Sequence, residues 1–252
     1  MRLLRGLGLV KRTNNGWWNR FFTTFDGATE HIDCGDSKQY DWNEPHSYMA
    51  IIKTNDLNLQ AIVNKSQGSS TYKGFSLYMN AGNIIMREYE DGTSSGIKLE
   101  SKESYNDDKR HIVIVTFDGS GIPDNAKMYI DGQEVSVTAT GSGFSGTIKN
   151  SSKTIIGKLG YSSYNWFGEL DEIIIFGKEL TADDISYIYG NQTGEFDPRK
   201  MRKPKAIWNI GGWWRLGDKA IWDGSQWHFP DVSGNGYDGI SQGMDETNMR
   251  RY

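Results

Sequence analysis

The sequence contains a single cysteine, Cys34, among its 252 residues. One cysteine cannot form a disulfide within the chain, and zinc modules built on pairs of cysteines are equally excluded. Basic residues are not in excess either, since 28 Lys and Arg stand against 32 Asp and Glu, a formal net charge of −4. A chain without a positive field lacks the main attraction for a phosphate backbone, so we expect no nucleic-acid partner.

Long apolar runs are also missing. No stretch approaches the roughly 18 apolar residues that a transmembrane helix needs. The first ten residues are interrupted by Arg5, Gly6 and Gly8 and are followed by no small-residue cleavage site. We therefore expect a soluble protein with no signal peptide and no membrane partner.

The residues that are abundant are those typical of β-structure. The chain holds 23 Ile against 12 Leu and has 32 aromatic residues, a balance that favours strands over helices. Its 30 glycines include those of six Asp-Gly pairs, most of which lie between apolar or alternating runs, as hairpin turns do. Together with a length that suits one large β domain, these features predict an all-β sandwich.

The predicted strands are short, with turns after roughly every 8 to 12 residues. They comprise residues 21–25, 48–53, 59–64, 75–79, 84–89, 111–117, 127–131, 134–140 and 166–176. One segment predicts a helix, because Thr181 can cap it, Asp184 lies at its third position and Gly190 ends it.

A change of composition near residue 197 predicts three regions: an N-terminal arm over 1–16, a sandwich over 17–196, and a C-terminal segment over 197–252. Residues 197–205 (DPRKMRKPK) are basic and flanked by proline, as linkers often are. Five of the nine tryptophans follow, which is more apolar surface than a solvated tail presents. We therefore predict these five as assembly residues that need a partner surface: Trp208, Trp213, Trp214, Trp222 and Trp227.

Four motifs over residues 21–190 resemble the laminin-G-like family of concanavalin A-type jelly rolls. Residues 25–33 (FDGATEHID) are similar to the family's opening strand, FDGxDDYVD. Residues 109–119 (KRHIVIVTFDG) and 128–132 (MYIDG) resemble WHHVAVTYDG and LYVDG, and residues 167–185 resemble FxGxIDEVRIYNRALSADEI. The resemblance implies a jelly-roll β-sandwich with one short helix.

The order of the motifs departs from that of the family. Members normally begin with text similar to residues 213–218 (WWRLGD) and 231–239 (DVSGNGYDG), which lie here at the C-terminal end. An opening strand missing from the N-terminal side would leave a sheet edge with unpaired backbone groups. The C-terminal segment could fold back onto its own sandwich or reach a neighbouring subunit, and of the two we favour the neighbour.

This C-terminal block also resembles the ends of tailed-phage structural proteins. The resemblance implies a non-enzymatic structural or decorating protein located in a virion. Its partners would be other virion proteins or copies of itself.

A carbohydrate-binding module for host-surface glycans is the alternative function. Residues 161–166 (YSSYNW) suit it, because flat aromatic rings stack on sugar faces while Asn and Ser can bond hydroxyl groups. Tyr161, Tyr164 and Trp166 are the candidate carbohydrate-binding residues. Trp166 has a second interpretation, since it begins the longest predicted strand and could belong to the core.

Glycoside hydrolysis is the third function considered. Some jelly-roll glycosidases carry Glu-x-Asp-x-x-Glu or Glu-x-Asp-x-Glu on a strand, and Glu169-Leu170-Asp171 begins in the same way. A retaining mechanism needs a second carboxyl group, and its position is held by Ile173 or Ile174. We therefore predict no catalytic residue and no enzymatic activity.

Calcium is the candidate cofactor, and it too comes from the resemblance. Many relatives bind one structural Ca²⁺ through the opening Asp-Gly and the Asp of the last long strand, which correspond here to Asp26 and Asp171. Two carboxylates need added carbonyl and water oxygens to complete such a site. Residues 231–236 also begin like an EF-hand loop, but Gln242 stands at its twelfth position, so an Asp-capped turn is predicted there.

Overall fold

The structure is a computed structural model that describes residues 20–68, 72–91, 95–160 and 163–252. The arm predicted over residues 1–16 lies outside them. The described residues form two antiparallel β-sheets packed face to face, with one α-helix and short 3-10 turns. This confirms the predicted all-β jelly-roll sandwich with one short helix. No helix within these ranges is long and apolar enough to cross a membrane.

The first sheet has eight strands, numbered in chain order along the whole protein. In spatial order they are β10 (Gln133–Glu134), β9 (Lys127–Ile130), β8 (His111–Phe117), β3 (His46–Lys53), β13 (Phe167–Phe176), β1 (Phe21–Asp26) and β18 (Met249–Arg251), with β14 (Ile210–Trp214) also paired to β13.

The second sheet has ten strands. In spatial order they are β11 (Val137–Gly143), β7 (Ser95–Ser104), β6 (Asn83–Asp91), β5 (Gly74–Asn80), β4 (Gln60–Ser66), β12 (Ile155–Ile156), β2 (His31–Asp33), β17 (Gly239–Gln242), β16 (Trp227–Phe229) and β15 (Ile221–Trp222).

The first sheet is covered on both faces. Because side chains alternate along a strand, Val113 and Val115 of β8 enter the core between the sheets, whereas Ile112 and Ile114 face the opposite side. That second side packs under helix α1 (Ala182–Tyr189) and the chain that follows it. A strand buried on both faces reads as a continuous apolar run, which is why β8 shows no polar alternation.

Helix α1 begins and ends where the sequence predicts. The hydroxyl of Thr181 accepts a hydrogen bond from the Asp184 N–H, and the Asp184 carboxylate accepts one from the Thr181 N–H, which completes a capping box. Ile185 and Ile188 form its buried face, and Gly190 ends it with a positive φ of 76°.

Strand β13 shares one of its edges between two strands that are far apart in sequence. Along that edge β1 pairs with residues 167–170, and β14 pairs with residues 173–176. The opposite edge pairs with β3, with a bulge between Asp171 and Ile174. The C-terminal segment therefore supplies, within the same chain, the strand that is missing from the N-terminal side.

Glu172 lies at the junction between β1 and β14, with no exposed surface and a φ of 46°. Its carboxylate accepts hydrogen bonds from the Trp213 indole N–H at 2.5 Å and from Arg215 Nε at 3.0 Å. Burial raises the pKa of Glu172, and the Arg215 guanidinium and the Trp213 N–H oppose that rise. The carboxylate thus ties the C-terminal segment to the central strand.

Three of the five tryptophans predicted for assembly lie inside this chain. Trp208, Trp213 and Trp214 are 2%, 3% and 0% exposed, and consecutive residues of β14 point to opposite faces of the sheet. They are not available to a second subunit, so the preference for a neighbour is corrected: the segment pairs with its own sandwich. Trp222 and Trp227 are half-buried and pack on each other at 5.5 Å between ring centroids.

A buried cluster of three polar side chains, His46, Tyr48 and Glu88, lies between the two sheets. His46 donates from Nδ1 to the Glu44 carbonyl oxygen at 2.6 Å, and its Nε2 lies 2.6 Å from Glu88 Oε1. Tyr48 donates to the same Glu88 oxygen at 2.8 Å. Burial lowers the pKa of His46, but the charge and hydrogen bond of Glu88 outweigh it and hold the pKa above its ordinary value.

We expect Glu172→Ala to lower the free energy of unfolding by about 3 kcal/mol, because it removes the nearer of the two carboxylates that pair with the buried Arg215 guanidinium and leaves only Asp218 at 3.4 Å. The double variant Glu172→Met with Arg215→Met should regain part of that loss, since it removes both charges and leaves Asp218 paired with Arg20. Glu169→Gln, on the same strand but partly exposed, is the control. Urea unfolding measures all three, and a loss below about 1 kcal/mol for Glu172→Ala would contradict the assigned role of this contact.

The stability that His46 contributes should decline as the pH rises. A pKa raised in the folded state gives stabilisation that is complete below about pH 6.5, the ordinary histidine value, and is lost as the pH rises through the raised pKa. His111 lies between Asp107 and Asp131 and also has a raised pKa. The parent protein for this test therefore carries His111→Gln, so that only His46 is compared. The urea midpoint should fall between about pH 6 and pH 9, and His46→Gln should reduce that fall. An identical fall in both proteins would exclude His46 as its source.

Candidate functional site

A cleft of about 200 Å³ lies on the outer face of the second sheet. Strands β5 and β6 form its floor, and residues before β4, in the β4–β5 hairpin and between β12 and β13 form its walls. Four tyrosines and one arginine supply most of its chemistry. The lining residues are Leu59, Tyr72, Gly74, Ser76, Tyr78, Arg87, Tyr89, Leu159 and Tyr164.

The alternation of the strands places these side chains. Ile84, Met86 and Glu88 of β6 turn towards the core, so Arg87 and Tyr89 between and beside them face outwards. The cross-strand register sets Arg87 opposite Ser76 of β5. Because the Ser76 side chain is small and that of Arg87 is large, the outer face has a depression at Ser76, which forms part of the cleft.

Gly74 allows β5 to lie close to β4 at the end of the cleft. Its φ is +123°, and a Cβ built there would lie 2.0 Å from the carbonyl oxygen of Lys65. No L side chain fits this backbone without displacing β4.

Arg87 lies against two of the tyrosine rings. Its guanidinium carbon is 4.9 Å from the ring centroid of Tyr78 and 5.7 Å from that of Tyr89, both within the range of cation–π attraction. Tyr78 is 3% exposed and belongs to a small apolar cluster with Ile85 and Leu159. The floor of the cleft is therefore aromatic, with a positive charge over it.

The two sheets differ in what covers their outer faces. Helix α1 and the tryptophan-rich segment cover the first sheet, and Trp208 and Trp213 are buried there. On the second sheet the apolar cluster around Tyr78 is small, and Tyr164 above it is 46% exposed. The face that carries the aromatic cleft is thus accessible to a ligand.

The structure separates the three residues predicted to bind carbohydrate. Tyr164 lines the cleft, as a sugar-stacking residue should. Trp166 is fully buried in the core, with its indole N–H donating to the Glu169 carbonyl oxygen, so the core interpretation of this residue is correct. Tyr161 lies outside the described residues. Sequence reasoning missed Tyr78, Arg87 and Tyr89, although the alternation of β6 placed the last two outside the core.

Asp26 and Asp171 do not meet. Asp26 lies opposite Phe167 in the β1–β13 register, and Asp171 is four residues, or about 13 Å, further along β13, so the backbones of the two aspartates are at least that far apart. Asp26 Oδ1 accepts from the N–H groups of Ala28 and Thr29 in a turn, while Asp171 accepts from the Tyr252 hydroxyl at 2.6 Å. Among the described residues no group of three or more His, Cys, Asp or Glu could hold a metal. The predicted shared calcium site is therefore corrected.

Asp231 begins a capped turn, as predicted. It accepts from the Ser233 N–H at 2.9 Å and from the Trp213 N–H at 3.0 Å, and Asn235 donates to the Ile210 carbonyl oxygen. The loop therefore holds β14 in place through hydrogen bonds on one side. The Asp231 carboxylate is already bonded to backbone N–H groups.

Two carboxylates of the glycosidase-like strand are engaged in ion pairs. Glu169 is paired with Lys53 at 3.4 Å and with Arg110 at 2.6 Å. Glu172 is buried against Arg215, and Ile173 and Ile174 are in the core. No pair of these carboxyl groups flanks the cleft, which lies on the other sheet.

Comparison with known proteins agrees with this geometry. The laminin-G model of the concanavalin A-like lectin/glucanases superfamily matches residues 26–186. The match spans more than half of the chain, so the protein belongs to this family, as its four motifs indicate. No curated protein has a sequence that matches the chain.

Solved structures show the same fold at low identity. A protein from Bacteroides ovatus that is predicted to bind carbohydrate has a TM-score of 0.62 at 12% identity; the alignment covers 93% of this chain and 60% of that one. The present chain thus spans less than two thirds of that protein. A heptameric pentraxin from Limulus polyphemus has a TM-score of 0.50 at 17% identity, covering 68% of this chain and 82% of that one. These likenesses show the fold alone.

We expect a chelator to leave the unfolding temperature unchanged. A bound ion would stabilise the folded state by mass action, so its removal would lower that temperature. Asp171→Ala should destabilise the protein equally with and without chelator, because it removes the acceptor of the Tyr252 hydroxyl. A thermal shift produced by chelation and abolished in Asp171→Ala would restore the calcium hypothesis.

Proposed function

We propose that the protein binds carbohydrate, without catalysing a reaction, in the tyrosine-lined cleft of its second sheet. One observation carries the proposal: the face of the sandwich that its own chain leaves accessible has an aromatic cleft. The Bacteroides ovatus likeness and the family assignment are compatible with such a role, and the proposal rests on the cleft.

The chemistry of the cleft suits a sugar. Pyranose rings have apolar faces that pack on tyrosine rings, and their hydroxyl groups need donors and acceptors at the edges of those rings. Tyr164 offers an exposed ring, and Ser76 and Arg87 offer polar atoms on the floor. At about 200 Å³ the cleft is smaller than the ~300–1,000 Å³ typical of drug-sized ligands, as expected for one or two sugar rings at an open surface.

A binding role also agrees with the state of the carboxylates. Acid–base cleavage of a glycoside needs two carboxyl groups on either side of the bond. Glu169 and Glu172 are held by Arg110 and Arg215 on the first sheet, away from the cleft. We therefore expect no hydrolysis of the glycans that the protein binds.

The role in a virion stays a prediction. The tryptophan-rich tail favoured that role because it needs a partner surface, and the tail packs on its own sandwich through Trp208, Trp213 and Trp214. Assembly through Trp222 and Trp227 or another surface is equally a prediction.

A glycan array followed by titration calorimetry tests the proposal. We expect the full chain to bind a subset of glycans, and Tyr164→Ala to weaken that binding about tenfold, or about 1.4 kcal/mol, through loss of ring stacking. Phe167→Ala is the matched control, since Phe167 is 43% exposed but does not line the cleft. The proposal fails if the wild type binds no glycan, or if both variants bind as the wild type does.

A further inference from the structure

Arg87 has no acidic partner among the residues that the structure describes. Across the sheet it lies opposite Ser76 on one side and Lys98 on the other. The Lys98 ammonium is itself paired with Glu100 at 2.5 Å. Arg87, Lys98 and Glu100 together therefore carry a net charge of +1 at the floor of the cleft.

The other arginines of intermediate or full burial are paired. Arg110 lies 2.6 Å from Glu169, and Arg215 lies 3.0 Å from Glu172. The Nε–H groups of Arg87 and Arg110 are both buried without an acceptor. Arg110 has the Glu169 carboxylate, whereas the described part of the chain gives the Arg87 guanidinium only the faces of Tyr78 and Tyr89. Buried donors of a cation almost always have an acceptor, so the Arg87 guanidinium is suited to bind an acceptor that the described residues do not supply.

The shape of the guanidinium indicates which acceptor fits. Its planar fork of N–H donors matches the two oxygens of a carboxylate, and such paired, charge-assisted bonds are stronger than bonds to neutral hydroxyls. The rings of Tyr78 and Tyr89 hold the fork in place at 4.9 and 5.7 Å, which limits the rotamer freedom lost on binding.

We propose that Arg87 makes the cleft selective for acidic saccharides, and that it binds the carboxylate of a uronic or sialic acid residue whose ring packs on the tyrosines. This inference rests on the proposed carbohydrate binding and adds its specificity. The formal charge of the whole chain is −4, so attraction of an acidic glycan has to be local to the cleft.

The test compares carboxylated glycans with their carboxyl-reduced, neutral counterparts on one array, and the pair that binds best is titrated in solution. We expect the wild type to prefer the acidic member at least about tenfold, equivalent to about 1.4 kcal/mol. Arg87→Met should erase this preference, because it weakens binding of the acidic member about tenfold more than binding of the neutral member. Arg87→Lys keeps the charge but loses the fork, and should retain only part of the preference.

Lys98→Met combined with Glu100→Gln is the matched control. It removes the neighbouring ion pair, outside the lining of the cleft, without changing the local charge balance, and should keep the preference. A sulfated counterpart of the best glycan is the third ligand, because sulfate is also an oxyanion but not planar. Circular dichroism and thermal unfolding establish that each variant is folded.

The outcomes separate this inference from the proposed function. Equal binding of the acidic and neutral members by the wild type overturns the inference and leaves carbohydrate binding intact. A preference that survives Arg87→Met, or one for sulfate over carboxylate, also overturns it. Binding of no member by the wild type refutes the proposed function itself.

Discussion

Glu172 joins the C-terminal segment to the central strand β13. Its buried carboxylate binds the Trp213 indole and the Arg215 guanidinium, so the C-terminal segment becomes part of the sheet whose centre is β13. That contact helps to hold β14 along the second half of the β13 edge, where Trp213 and Trp214 pack on opposite faces of the sheet. The segment covers the outer face of the first sheet, whereas the outer face of the second sheet retains an accessible aromatic cleft.

That difference between the faces gives the cleft its character. A sheet face covered by the chain's own residues can be apolar throughout, as around Ile112 and Ile174. A face open to solvent normally carries polar side chains, whereas here Tyr78, Tyr89 and Tyr164 are concentrated above β5 and β6 with Arg87 among them. Exposed aromatic groups with a convergent polar residue are typical of a ligand site.

Much of the fold could be predicted from the sequence, because its determinants are local. The Asp-Gly turns, the buried run of β8 and the cap at Thr181 each specify a short element, and the order of four motifs specifies how these elements pack. The return of Trp213 and Trp214 to their own sandwich depends on a contact between residues about forty positions apart, which no local pattern shows. Only part of the cleft could be predicted: Tyr164 follows from its loop, whereas Arg87 and Tyr78 meet through strand register. The motifs also suggest a shared site for Asp26 and Asp171, but the strand register keeps those two residues apart.

Mapping a bound glycan onto the tyrosines tests the central claim most directly. With ring-labelled tyrosine, titration of the best-binding glycan can be followed by NMR at each assigned ring. Binding in the cleft should shift the signals of Tyr78, Tyr89 and Tyr164 and leave that of Tyr187, which lies on the covered side of the first sheet, unchanged. Shifts confined to Tyr187 or to other tyrosines outside the cleft would contradict the account.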